Sequence, residues 1–197
     1  FSVYGRGAQH INYGLDLEGE HGISSLKTIP YVSARWKHYE IKTHLTGEYN
    51  LENIIAAITV AKHFAIQEEF IIAGIENYIP SNNRSEIMHS EKNNIVIKDF
   101  YNANRTSMEL ALDNLAQISS EYSDHKSVAI LGDMLELGEY SLTEHQAIVD
   151  YAQELDIDSI ILIGPDFGST KNTKAVSYRD VNDAVAHIPR DVFQKNC

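Results

Sequence analysis

A carboxylate, two carboxamides and two aliphatic hydroxyls stand close together between positions 99 and 107. Asp99 follows the apolar run Ile95-Val96-Ile97, whose β-branched residues read as a buried central strand. Tyr101-Asn102-Ala103-Asn104 suits a turn, and Thr106 and Ser107 can cap the helix after it. Glu109 lies three residues after Thr106, as a capping box requires. A strand that runs through a polar loop into a helix is where open α/β sheets hold ligands. Helix N–H groups and the dipole favour anionic groups there, and a carboxylate at the strand end can accept from a sugar hydroxyl. The same residues also serve a plain strand–loop–helix joint in which Asp99, Asn102 and Asn104 cap backbone, and both readings stand on this stretch.

Asp133 lies just past the apolar run Ser127–Leu131, with Glu136, Glu139 and Glu144 after it. A carboxylate at that place can hold the ammonium of an incoming amine; the alternative is a solvated loop with Leu135 and Leu137 packing inward. Arg84 closes the loop Tyr78–Arg84 and, from the residues alone, reads as an exposed hinge arginine. Asn50 is placed to N-cap a helix, with Asn53 at its third helical position. His10, His21, His38 and His44 lack the helical i, i+4 spacing of a ligand pair and read as surface or edge-strand histidines.

The elements that position these groups follow from periodicity. Residues 1–46 read mainly as β, with Tyr39, Ile41, Thr43 and Leu45 alternating and Gly5, Gly7, Gly14, Gly19 and Gly22 as turns. Helices are expected over 50–64 and 67–77, the first burying Leu51, Ile54, Ile55 and Ile58. The Pro-, Ser- and Asn-rich loop 78–84 marks a domain boundary, giving domains 1–79 and 80–197. Beyond it strands at 87–90, 95–97, 127–131, 159–163 and 174–177 alternate with helices at 106–122, 142–155 and 180–187. That alternation predicts an α/β domain with a parallel sheet and right-handed crossovers. Asp156 and Asp158 fall in a helix–strand connection and read as solvated.

Composition sets limits. The 197 residues are 43% hydrophobic, which suffices for one large or two small cores. A formal net charge of −12 argues against a nucleic-acid backbone or an anionic membrane surface as partner. The single cysteine, Cys197, excludes an intrachain disulfide or a cysteine-based metal site. No apolar run is long enough for a transmembrane helix. No G-x-x-x-x-G-K-[ST] phosphate loop occurs. The chain opens on Phe1 and enters at once into a strand-like pattern, so a piece of a longer protein is expected.

Three runs carry a resemblance. Asp99-Phe100-Tyr101-Asn102-Ala103-Asn104, then Thr106-Ser107-Met108, resembles D-x-Y-N-A-N-P-x-S-M. Leu131-Gly132-Asp133-Met134-Leu135-Glu136-Leu137-Gly138 with His145 resembles L-G-D-M-L-E-L-G…H. Gly47-Glu48-Tyr49-Asn50-Leu51-Glu52-Asn53 is similar to G-x-[HY]-N-x-x-N. Together they resemble the Mur ligase family, in its D-alanyl-D-alanine-adding branch. The resemblance implies that residues 1–79 are the latter part of a central ATP-binding domain. Residues 80–197 would be a Rossmann-like C-terminal domain with its end truncated.

The implied activity is ATP-dependent joining of D-alanyl-D-alanine to UDP-N-acetylmuramoyl-tripeptide through an acyl phosphate, in cytoplasmic peptidoglycan precursor synthesis, by a monomer. ATP and Mg²⁺ are the implied cofactors, with the metal ligands, the phosphate loop and the UDP-binding domain upstream of this stretch. By resemblance Asp99 binds the ribose, Asn50 and Asn53 face the adenine, and Arg84 reaches the phosphates. Asn102, Asn104 and Asp133 fall near the dipeptide or the acyl phosphate, and the chain by itself is expected to be inactive. Arg105 stands where the signature has Pro, Lys98 where many members have Asp, and Tyr49 where many have His, and the closing K-G-S-R segment is absent. The competing readings are another Mur-type or folylpolyglutamate synthase-like ligase, and a non-catalytic nucleotide-binding module on the same fold.

Overall fold

The computed structural model of the chain describes residues 2–4, 10–15, 22–81, 83–122 and 124–193; for 2–4, 10–12 and 191 only the backbone is described. Gly5, Gly7, Gly19, His21 and Cys197 lie outside the described residues. The chain forms two compact units, Phe1–Ser81 and Asn82–Cys197.

The first unit begins with an antiparallel pair, β1 (Ser2–Tyr4) and β2 (His10–Asn12). A second sheet has the order β3 (Gly14–Leu15), β4 (Gly22–Lys27), β5 (Ser33–Trp36) and β6 (Tyr39–Lys42). Its β3–β4 pair is parallel and the others antiparallel. Gly14 and Gly22, expected in turns, open the paired strands β3 and β4 instead. The expected alternation holds: Ile41 and Thr43 are buried, while Glu40 and Lys42 face solvent. Buried Thr43 is tolerated because its hydroxyl donates to the Val32 carbonyl at 2.8 Å and accepts from Leu45 N–H at 3.1 Å.

Helices α1 (Asn50–His63) and α2 (Glu68–Glu76) supply the rest of this core. Leu51, Ile54, Ile55 and Ile58 form one stripe of α1 and meet Ile23, Val32, Ala34, Trp36, Ile41 and Ile71. Each fully buried isoleucine contributes about 1.5–3 kcal/mol, so this stripe, rather than capping, holds the helix. Lys37 and Lys62 both reach Glu68, at 2.6 and 3.2 Å, and hold its carboxyl below the usual range.

The second unit starts with an antiparallel pair, β7 (Glu86–His89) and β8 (Ile95–Lys98). The run Ile95–Ile97 was expected to be the buried central strand of the parallel sheet. It is half-buried instead, with Val96 exposed, and among the described residues it pairs with β7 alone in a two-stranded sheet. The connection Ser90–Asn94 explains this. It is too short for a crossover, and Asn93, at φ +60°, closes a turn whose N–H donates to the Ser90 carbonyl.

Helix α3 (Arg105–Glu121) follows, then β9 (Val128–Gly132), α4 (Ser141–Glu154), β10 (Ser159–Ile163), α5 (Pro165–Gly168), β11 (Ala175–Tyr178) and α6 (Val181–His187). The order β11-β10-β9 makes a three-stranded parallel sheet with β10 central, so the unit is α/β as expected. Its core joins Met108 and Leu112 of α3 and Ile148, Val149 and Ala152 of α4 to Leu131, Ile160, Leu162 and Phe167. β10 is buried at Ile160, Ile161 and Leu162 and half-buried at both ends; Ile130 of β9, expected inside, is exposed on the other sheet face. Asp158 is more than solvated. Its carboxylate accepts from Ser127 N–H at 2.8 Å and Ser127 hydroxyl at 3.0 Å, tying together the starts of β9 and β10.

Tyr151 on α4 donates its hydroxyl to Asp113 on α3 at 2.5 Å. This hydrogen bond holds the phenol neutral and pushes its pKa up to about 12. The folded-state value is raised, so the stabilisation is fully present below pH 10 and is lost as pH rises toward 12. Tyr151→Phe is therefore expected to cost about 0.5–1.5 kcal/mol at neutral pH. The difference should shrink above pH 10 in urea unfolding, and equal midpoints at neutral pH would refute it.

Among the described residues, no helix is long and apolar enough to cross a membrane.

Candidate functional site

At the end of β8, Asp99 accepts from Ser85 N–H at 3.3 Å, and Phe100 N–H donates to the Asn83 carbonyl at 3.0 Å. These two bonds fasten the segment that carries Arg84. Its guanidinium carbon lies 3.8 Å from the centre of the Tyr101 ring. Arg84, Asp99 and Tyr101 thus form one exposed cluster at a strand's carboxyl end. A carboxylate and a guanidinium together can hold a hydroxyl and an oxyanion.

Asn102 is exposed in the loop and makes no side-chain hydrogen bond among the described residues. Asn104 is the N-cap of α3: its Oδ1 accepts from Ser107 N–H at 2.9 Å, and Ser107 Oγ accepts from Asn104 N–H at 3.1 Å. The expected cap, Thr106 with Glu109, is therefore replaced by Asn104 with Ser107, two positions earlier. Glu109 has another partner: it accepts from Arg105 Nε at 2.8 Å, one helical turn away. Arg105 occupies the first helical position, where Pro is ordinarily favoured. The added charge is paired on the spot. Lys98, the other departure in this run, faces Glu86 across the β7–β8 pair at 3.1 Å.

In the first unit, Asn50 is not the N-cap of α1. Tyr49 takes that place with a helical backbone and no capping hydrogen bond from its side chain. Asn50 is buried, donates to the Thr46 carbonyl at 2.7 Å and accepts from Asn53 Nδ2 at 2.9 Å. Asn53 is exposed. The buried asparagine thus holds the exposed one. Gly47 has φ +86°, and a side chain there would run into the Tyr49 ring, so both features of this turn demand glycine.

Asp133 lies past the end of β9 with a small fraction, 12%, of its side chain exposed. One oxygen accepts from Asp166 N–H at 3.0 Å and the other from Phe167 N–H at 2.9 Å. It therefore caps α5 from a distant part of the chain. Gly164, at φ +129°, lies so close to the Asp133 carboxylate that any side chain would collide with it. His145 is fully buried; its Nε2 accepts from Met134 N–H at 2.9 Å and its Nδ1 donates to the Ser141 carbonyl at 2.7 Å. Because Nε2 is an acceptor, its 3.7 Å approach to Asp133 is not an ion pair. Ser141 Oγ donates to Asp166 at 2.9 Å, and Phe167 packs edge-on against His145 at 4.6 Å. Leu137 packs against the core as expected, whereas Leu135 is 77% exposed.

Sequence reasoning passed over Asn83, Ser85, Ser141, Gly164 and Asp166. Only the Gly164-Pro165 pair, directly after a strand, signalled a helix start that something must cap. Among the described residues no three His, Cys, Asp or Glu side chains come together as a metal cluster.

Comparisons with known proteins show what the chain is similar to. Residues 83–193 match the family "Mur ligase, glutamate ligase domain". A UDP-N-acetylmuramoyl-tripeptide–D-alanyl-D-alanine ligase of Mycobacterium tuberculosis is 32% identical over 127 residues, 64% of this chain and 25% of that protein. A crystal structure of MurF from Acinetobacter baumannii shares the fold with a TM-score of 0.69 and 24% identity, over 83% of this chain and 37% of that one. MurF from Thermotoga maritima in complex with ADP shares it with a TM-score of 0.62 and 18% identity, over 75% and 33%. The chain thus spans about a quarter of the length of the curated relative. With a family match that runs over more than half of its residues, the chain belongs to the Mur ligase family.

Proposed function

We propose that the chain is part of an ATP-dependent ligase that joins D-alanyl-D-alanine to UDP-N-acetylmuramoyl-tripeptide for peptidoglycan precursor synthesis in the cytoplasm. The run Leu131–Gly138 with His145 carries this reading through its resemblance to the signature of that ligase branch, and curated relatives similar to the chain bear that activity in their names. Phe1–Ser81 would be the latter part of the central ATP-binding domain and Asn82–Cys197 most of the C-terminal domain. In the reaction, the terminal carboxylate of the tripeptide takes the γ-phosphoryl group of ATP and ADP leaves. The dipeptide amine then attacks the acyl carbon, loses a proton and expels phosphate.

Such chemistry relies on positioning and on charge stabilisation. Asp99, at the carboxyl end of β8, would accept from the ribose, and Arg84 would meet phosphate oxygens. Asn53 would face the adenine, held by Asn50. Asn102 and Asn104 would lie toward the acyl phosphate and the dipeptide. Asp133 would serve the dipeptide by fixing the loop beside it, since both its oxygens already accept from backbone. Mg²⁺ would supply charge to the transferring phosphoryl group. This chain by itself would not be the catalyst.

Asp99→Asn in the full-length protein is expected to raise the KM for ATP about ten- to a hundredfold, from a charged hydrogen bond worth about 1.5–3 kcal/mol, and to leave the KM for the dipeptide unchanged. Steady-state kinetics decide it. An unaltered KM for ATP would remove Asp99 from the nucleotide site.

A further inference from the structure

We propose that Tyr101 is a positioning residue for Arg84: its ring holds the guanidinium in place for an incoming phosphate oxyanion. The proposal rests on the reading of Arg84 as a phosphate-facing residue. Three contacts join the start of this unit to the end of β8. They are the Phe100 N–H to Asn83 carbonyl bond, the Ser85 N–H to Asp99 bond, and Arg84 over Tyr101 at 3.8 Å. Arg84 itself stands between Asn83 at φ +58° and Ser85 at φ +50°. Two left-handed residues that are not glycine persist only where the surroundings hold them, and such strain gathers at ligand clamps.

The choice of partner for the arginine carries the inference further. Lys98 and Arg105, which flank the run Asp99–Asn104 in the sequence, are each paired with a carboxylate, Glu86 and Glu109. Among the described residues Arg84 has no such ion pair. A carboxylate would occupy its N–H donors and cancel its charge. An aromatic face attracts the cation through the ring quadrupole and leaves the in-plane donors free for a bidentate oxyanion. Tyr101 is 63% exposed, so core packing does not account for the ring. Any flat aromatic ring would serve, and an aliphatic side chain would not.

The test has two arms. In nitrogen-15 and carbon-13 arginine spectra of residues 1–197, the Arg84 side-chain protons should show an upfield ring-current shift that Tyr101→Phe keeps and Tyr101→Leu removes. In the full-length protein, Tyr101→Leu should raise the KM for ATP about two- to fivefold with kcat little changed. Tyr101→Phe should match the parent, and Tyr101→Leu should add nothing in an Arg84→Ala background. Absence of the ring-current shift, failure of Phe to substitute, or a Leu effect that persists without Arg84 overturns the proposal. If Arg84→Ala leaves the KM for ATP unchanged while the ring-current shift is present, the phosphate reading of Arg84 fails, and the proposal with it.

Discussion

Asp133→Ala is expected to destabilise the second unit by about 2–4 kcal/mol, the cost of losing a charged acceptor for two backbone N–H groups. The two donors are Asp166 and Phe167 N–H at the first turn of α5, and Phe167 is fully buried against His145. Without the carboxylate, those donors have no partner, and the loop from Met134 to Ser141 loses one of its anchors. Asp133→Asn keeps an oxygen for one of the two donors and should cost about half as much. Gly164→Ala should resemble Asp133→Ala, because a methyl group would force the carboxylate away and the backbone at φ +129° would be strained. Urea unfolding of the three variants is the measurement. Equal midpoints for Asp133→Ala and the parent would show that the carboxylate does not cap α5. Retained stability with a selective loss of dipeptide use would place it on the substrate instead.

The second large effect is the absence of turnover in residues 1–197 produced alone. Arg84, Asp99 and Asn53 can donate to or accept from a nucleotide, but the sequence has no G-x-x-x-x-G-K-[ST] loop. Phosphoryl transfer depends chiefly on the charge that such a loop and its metal ions supply. ATP binding should be weak or undetectable by calorimetry, magnesium should not restore it, and a coupled phosphate assay should give the blank rate. Tight magnesium-dependent binding or turnover would mean that these 197 residues hold a phosphate site of their own.

What could be read from the residues divides along the range of the interactions. The stripe Leu51–Ile58 and the run Ser159–Ile163 were legible because period and burial agree there. The run Ile95–Ile97 was legible as a strand but not as a half-buried hairpin partner, since periodicity says nothing of the neighbouring strand. The length of the turn before it held that information. At the site, Asp99 and Arg84 were singled out, yet their link through Ser85, Asn83 and Tyr101 depends on two left-handed residues that no motif announces. Asp133 stands out in the sequence for its place just past a strand's carboxyl end. Its partners lie 33 and 34 residues away, at a four-residue helix that composition does not predict. Asn50 misled for a related reason: an asparagine before an apolar stripe suits an N-cap, but burial turned its amide to Thr46 and Asn53.

Phosphate release by the full-length protein, measured with ATP, UDP-N-acetylmuramoyl-tripeptide and each candidate amine in turn, tests the proposed function most directly. The account predicts release only when D-alanyl-D-alanine is present with both other substrates, with one amide product formed per phosphate. Release that ignores the dipeptide, or that a free amino acid such as glutamate supports in its place, would contradict it.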